Sequence, residues 1–267
     1  MTMYWIYDLP NWQLAALMIV VLAGLAVAGL FATRPVMRRV LDGSSRHNDI
    51  ISYFFAGVGV FYGLALGLIA VATWENFTEV DGQVSREAAA IAGLYRDLDG
   101  YPGPFRQGLE RKLRDYTRLI VEKDWPAHRR GESLEEGTLL LDGLENEVMG
   151  FEPTKEREKI AHAEVLRSLE VVVEQRRLRL ESVGTGLPAA VWAVVLIGAG
   201  LNIVITYLFW VENLRLHAIL VVLFTTFLAL LVFLTAAMDN PFRGEFSVSS
   251  DGFQAVLDNV MTGEGGG

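Results

Sequence analysis

Four stretches of this chain run for more than twenty residues without an Asp, Glu, Lys or Arg: Trp12–Thr33, Ile51–Trp74, Leu187–Trp210 and His217–Met238. Each is long enough to cross a ~30 Å hydrocarbon core as a helix. A bilayer offers the backbone no water to bond with, so a lone apolar stretch of this length has to close its own hydrogen bonds. The pattern predicts an all-α chain with four transmembrane helices. The absence of charge inside the spans argues against ion-coupled carriers and proton pumps, which need an ionisable group at membrane depth.

The second span is the most regular. Gly59, Gly63 and Gly67 recur at every fourth position and, with Ala56 and Ala70, form a smooth stripe on which another helix could pack closely. Phe54, Val58, Phe61 and Leu68 fall on another face at ~100° per residue. Two readings of the bulky face stand side by side: the rings meet lipid, or they meet their own symmetry copies as a hydrophobic constriction. The helix is expected to leave the membrane unbroken through Trp74-Glu75-Asn76-Phe77.

Of the 32 acidic residues 23, and of the 23 Lys and Arg residues 17, lie between Glu75 and Ser182. The chain therefore divides into a membrane part, 1–74 and 186–238, and a mildly acidic soluble insert, 75–185, followed by a tail, 239–267. Within the membrane part the first two helices are read at about 12–33 and 51–74. The acidic balance argues against a nucleic-acid partner. With no Cys there is no thiolate chemistry.

The insert reads as an antiparallel helical bundle standing on the bilayer. Phe77, Val80, Val84, Ile91, Leu94 and Leu98 keep a 3–4 spacing, and Leu109, Leu113, Tyr116, Leu119 and Ile120 repeat it. Trp125 to Gly131 reads as a basic loop. Ser133 with Glu136 predicts a capping-box start for a short helix. A long helix after Pro153 carries Ile160, Leu166, Leu169, Val173 and Leu180. The third and fourth spans, separated only by Val211 to Leu216, form a helical hairpin. In the tail, Phe253, Val256, Leu257, Val260 and Met261 share one face of a short amphipathic helix, and GEGGG reads as disordered.

At the N-terminus, Trp5, Tyr7 and Trp12 suit an interface. The lack of a basic leader makes the first span a retained helix in place of a cleaved signal. Orientation is balanced: Arg34, Arg38, Arg39, Arg46 and Arg215 on one side oppose Arg86, Arg176, Arg177, Arg179 and Arg243 on the other.

Motifs for chemistry are lacking. His47, His128, His162 and His217 stand far apart and read as solvated or boundary residues with no metal-site spacing. Asp97-Leu98-Asp99-Gly100 reads as a helix-ending turn, and no nucleophile motif or phosphate loop is present. No catalytic residue, cofactor or metal is expected. Asn202, in the middle of the third span, is expected to face another helix as an interhelical polar contact.

The order of several elements resembles the bacterial bestrophin-like membrane protein family, a distant relative of the bestrophin anion channels. These elements are Phe55 to Trp74 with Glu75, Glu87-Ala88, Leu94-Tyr95-Arg96, Tyr116, and Glu122-Lys123-Asp124-Trp125-Pro126. Arg176 to Leu180, Leu187-Pro188 to Trp192, and Asp239, Pro241, Phe242 and Gly244 continue the match. The resemblance implies a homo-oligomeric channel in the cell (inner) membrane, with the lipid bilayer and small anions as partners and the second helix lining the pore. It places the insert in the cytoplasm, whereas the four arginines of the first loop, against none before the first span, by themselves put that loop in the cytoplasm and the insert outside. The alternative is a membrane-anchored sensor or scaffold whose helical domain binds a ligand or partner.

Overall fold

The structure is a computed structural model and describes residues 9–40 and 47–262. Trp5, Tyr7, Arg46 and the GEGGG terminus lie outside the described residues. Described residues form α-helices α1 (Asn11–Val40), α2 (Asn48–Asp97), α3 (Gly103–Leu119), α4 (Trp125–Arg129), α5 (Glu136–Met149), α6 (Glu156–Ser182), α7 (Ala189–Leu208), α8 (Leu214–Met238) and α9 (Asp251–Asn259). A 3-10 turn, Leu98–Gly100, ends α2, and a π-helical turn, Ile120–Asp124, joins α3 to α4. No strand occurs among the described residues. Four helices (α1, α2, α7 and α8) are long and apolar enough to cross a membrane.

The chain separates into two compact units, Met1–Glu75 with Gly186–Asp239, and Asn76–Thr185 with Asn240–Gly267. In the first, α1 packs chiefly on α8. Ala26, Leu30 and Val221 are buried between them, with Ile203 and Tyr207 of α7 against this cluster. Gly29 allows the approach, since a Cβ there would stand 2.5 Å from the Tyr207 hydroxyl. Four threonines in these helices, Thr33, Thr73, Thr206 and Thr235, donate to carbonyls three or four residues earlier. Thr225 Oγ1, buried on α8, has no partner among the described residues. Asp239 accepts from the Leu187 N–H and the Trp192 indole, which ties the start of α7 to the end of α8.

α1 continues past the apolar span read at 12–33, so Arg34–Val40 is helical too. Apolar length marks hydrocarbon, not the end of a helix. Pro35 only removes the N–H that would have bonded Phe31.

The second unit has one core. Val80, Val84, Ile91, Leu94 and Leu98 of α2 meet Leu109, Leu113 and Tyr116 of α3, Leu141, Leu144 and Val148 of α5, and Val165, Leu169 and Val172 of α6. Phe242, Val248, Phe253, Val256 and Met261 complete it, so the tail belongs to this core. α9 is held further by Arg114, whose guanidinium donates to the Met261 carbonyl and the Tyr95 hydroxyl.

Three local expectations change. Trp125–Arg129 is a helical turn instead of a loop, because Pro126 stands in the first turn, where a missing N–H costs nothing. α5 begins at Glu136 without a side-chain cap, so Ser133 is not its cap. The reciprocal contact occurs instead at α6, where Glu158 accepts from the Thr154 and Lys155 N–H groups. Along α6 the buried line is Val165, Leu169 and Val172, and both Ile160 and Val173 are exposed.

Candidate functional site

Two features stand out: the apolar part of α2, and a buried ionic network in the second unit.

Within its own unit α2 packs through one face only. Phe55 meets Phe209 and Phe224 edge-on, with ring centroids 5.8 and 5.2 Å apart. One turn pair later the Tyr62 hydroxyl donates to the Val195 carbonyl at 2.9 Å. Its ring lies over Gly198, where a Cβ would overlap it. Leu66 is buried with Val195 and Val232, and Thr73 is buried at the end of the same line.

At ~100° per residue this inner line leaves a flank on either side. Phe54, Phe61 and Leu68 occupy one flank and are 63%, 77% and 63% exposed. Val58 lies between that flank and the inner line and is half-buried. Gly59, Gly63 and Gly67 occupy the other, with nothing within 4 Å of the place a Cβ would take. Asn202 is buried on α7; its Nδ2 donates to the Gly198 carbonyl at 2.8 Å, within its own helix. The Asn202 Oδ1 has no partner among the described residues.

The network forms around Arg179 of α6, which has no exposed surface. Its Nε donates to Glu87 Oε2 at 2.6 Å and its Nη2 to Glu87 Oε1 at 3.2 Å, a two-pronged pairing of guanidinium and carboxylate. Arg179 Nη2 and Arg176 Nη1 both reach Asp124 Oδ2 at 3.4 Å. Tyr116 donates to Glu87 Oε1 at 3.2 Å, and Arg176 Nη2 donates to Thr138 Oγ1 at 3.1 Å. Two buried arginines therefore face two buried carboxylates. Arg176 lies over the Tyr116 ring, and Arg179 lies between Trp125 and Phe253. Gly137 admits the Arg176 head, because a Cβ would come within 2.8 Å of it. The π-helical turn shifts the register after Ile120, so that Asp124, Trp125 and His128 all point into this core.

His128 is the neutral member. Its Nδ1 lies 3.0 Å from the Glu132 carbonyl, an acceptor, so Nδ1 carries the proton and Nε2 offers a lone pair to Arg179 Nη1. Burial, reinforced by the Arg179 charge, lowers its pKa to about 4. Burial likewise pushes the Tyr116 phenol well up, with the Glu87 charge adding to it. For Arg179 burial pulls the pKa down, but Glu87, Tyr116 and Asp124 outweigh it and hold the guanidinium above its ordinary value. The expectation of solvated or boundary histidines fails at His128 and at His217, both buried. Each has a ring nitrogen bonded to a backbone carbonyl, which offsets part of the cost of burying the ring. No group of three or more potential metal ligands occurs among the described residues.

The network was legible only in part. In the sequence Arg176 and Arg179 look like flanking charges, whereas they continue the buried α6 line Val165, Leu169, Val172 at the same 3–4 spacing. The signal lay in Glu87, which falls in register between Val84 and Ile91 on an otherwise apolar stripe. A charge at such a position has to be answered by another.

These features define a class: a helical protein whose four apolar helices of membrane-spanning length accompany a separate helical unit built on buried ion pairs. Residues 8–253 match the Bestrophin-like domain, and the chain belongs to the Bestrophin-like family. Among solved structures it resembles two point variants of a bacterial bestrophin homolog from Klebsiella pneumoniae. Both are 15% identical, with TM-scores of 0.69 and 0.65; each alignment covers 94% of this chain and 99% or 98% of the other. A crystal structure of a membrane protein variant matches at 15% identity and a TM-score of 0.63, covering 92% and 99%. At this identity the likeness is one of fold. No curated protein matches the chain in sequence.

Proposed function

We propose that this chain is one subunit of a homo-oligomeric channel in the cell (inner) membrane, passing small anions along a pore lined by α2. The observation that carries this reading is the pair of bare flanks on that helix, bulky on one side and smooth on the other. In a ring of copies one flank turns to the axis and the other to a neighbour. Phe54, Val58 and Phe61 form a hydrophobic constriction that gates by dewetting. Gly59, Gly63 and Gly67 receive the adjacent helix, and Asn202 Oδ1, without a partner among the described residues, is left for an interhelical polar contact. The charge-rich residues 75–185 form a helical bundle outside the lipid, with Phe242 to Met261 of the tail packed into its core. Family membership supports anions as the cargo. No catalytic step, cofactor or metal enters this reading.

The test is anion flux from purified protein in liposomes. Flux that depends on the protein, and that changes in Phe61→Ala, supports the proposal; a protein that stays silent under every gating condition rules it out.

A second reading has its own support. A cleft of about 380 Å³ opens in the second unit between α3 and α9, lined by Arg114, Arg118, Gln254, Leu257 and Asp258 among others. That suits a membrane-anchored sensor or scaffold whose helical domain binds a ligand or partner. Native mass spectrometry separates the two, because a monomer or dimer leaves no symmetric pore.

A further inference from the structure

At one end of the first unit, the close of α1, the start of α2 and the α7–α8 turn come together. Arg34 Nη2 donates to the Val211 and Glu212 carbonyls at 3.0 and 3.3 Å, and its guanidinium lies 5.1 Å from the centre of the Trp210 ring. Asn48 fixes Trp210 from the other side, accepting from its N–H at 2.9 Å and donating to its carbonyl at 2.8 Å. Arg34 is therefore held in place, half-buried, with no carboxylate bound to it among the described residues. Its Nε and Nη1 have no partner among the described residues.

Further cations stand on the same helix ends. Arg38 follows one turn along α1, Arg39 is next to it, and Arg215 stands in the first turn of α8, which Asn213 caps. All three side chains are exposed and without a partner among the described residues. Among the described residues Asp49 and Glu212 are the acids nearest in the chain, and neither forms an ion pair with them. Apolar surface adjoins the charges: Phe31, one turn inside Arg34, and Leu216, beside Arg215, are about half exposed.

We propose that Arg34 on its Trp210 platform, with Arg38, Arg39 and Arg215, binds the phosphate of an anionic membrane lipid. The fixed guanidinium supplies directional donors, the exposed arginines supply field, and Phe31 and Leu216 receive the upper acyl chain. A free phosphate would use only the charges; the adjoining apolar side chains favour the lipid. The proposal rests on the reading that the apolar helices span a bilayer, and not on conduction.

The experiment measures lipid retained by the full chain after detergent extraction from vesicles of phosphatidylcholine alone or mixed with phosphatidylglycerol, with inorganic phosphate as a competing arm. The expected result is preferential retention of phosphatidylglycerol, indifferent to millimolar phosphate. Removing two charges in Arg34→Gln with Arg38→Gln weakens it roughly thirtyfold. Arg39→Gln with Arg215→Gln, whose side chains are exposed and form no hydrogen bond or ion pair among the described residues, provides a variant that folds independently of the platform and weakens retention in the same direction. Equal retention of both lipids, unchanged retention in both double variants, or full displacement by inorganic phosphate overturns the proposal. A chain that fails to enter vesicles overturns it together with the membrane reading, whereas one that enters but ignores lipid charge overturns the lipid site alone.

Discussion

Arg179 and Glu87 meet through two hydrogen bonds of 2.6 and 3.2 Å between side chains with no exposed surface, although they are 92 positions apart in the chain. Neither charge can be hydrated, so each is the other's principal solvent. The pair fastens α6 to α2 inside the second unit.

Removing one partner is therefore costly. Glu87→Gln is expected to destabilise the second unit by about 3–5 kcal/mol, because it strands the Arg179 charge. Replacing both, Glu87→Met with Arg179→Met, is expected to recover most of that loss. Chemical unfolding followed by Trp125 fluorescence reads both; a double variant no better than the single one contradicts the argument.

Acid should weaken the same region through His128. Its pKa is about 4 in the folded chain against ~6.5 unfolded, so the unfolded state binds the proton first. Its contribution is fully present above pH ~6.5 and is lost as pH falls to about 4, a loss on the order of 3 kcal/mol. The groups that face it are Arg179, Arg176, Asp124 and the Glu132 carbonyl, and the two arginines disfavour a second positive charge. Unfolding measured across that window should slope with pH, and His128→Gln should flatten the slope.

Two sets of glycines should respond differently. Gly198→Ala pushes into the Tyr62 ring and endangers its bond to Val195, at a cost of about 1–3 kcal/mol. Gly63→Ala meets open space in the subunit and should leave the stability of an isolated protomer unchanged. Thermal melts in detergent give the comparison.

Larger side chains on the smooth flank test the oligomer. Gly63→Leu should lower the subunit count in native mass spectra if a neighbouring helix packs there, and leave it unchanged if lipid does. On the bulky flank, Phe61→Ala should raise conductance if the rings close a pore, because a dewetted constriction widens when an aromatic ring is removed. A lipid-facing ring would leave conductance as it was.

Local sequence pattern alone sets the four apolar helices, the stripes Val80–Leu98 and Leu109–Ile120, and the buried side of α9 at Phe253 and Val256, with Met261 just beyond it. Each is a matter of local period, where one apolar side chain in every turn has to leave water. Tertiary structure alone decided which charges are internal. Arg176 and Arg179 look like any flanking cations until Glu87 and Asp124 are brought to them from α2 and the π-helical turn. A buried ion is stable only with its partner in place, and that partner lies far away in the chain. It also decided that Phe55, Tyr62 and Leu66, and not the glycines, are the side of α2 that packs within the subunit. A helix that is apolar all round does not say which side meets its own chain, because every side is equally free to leave water.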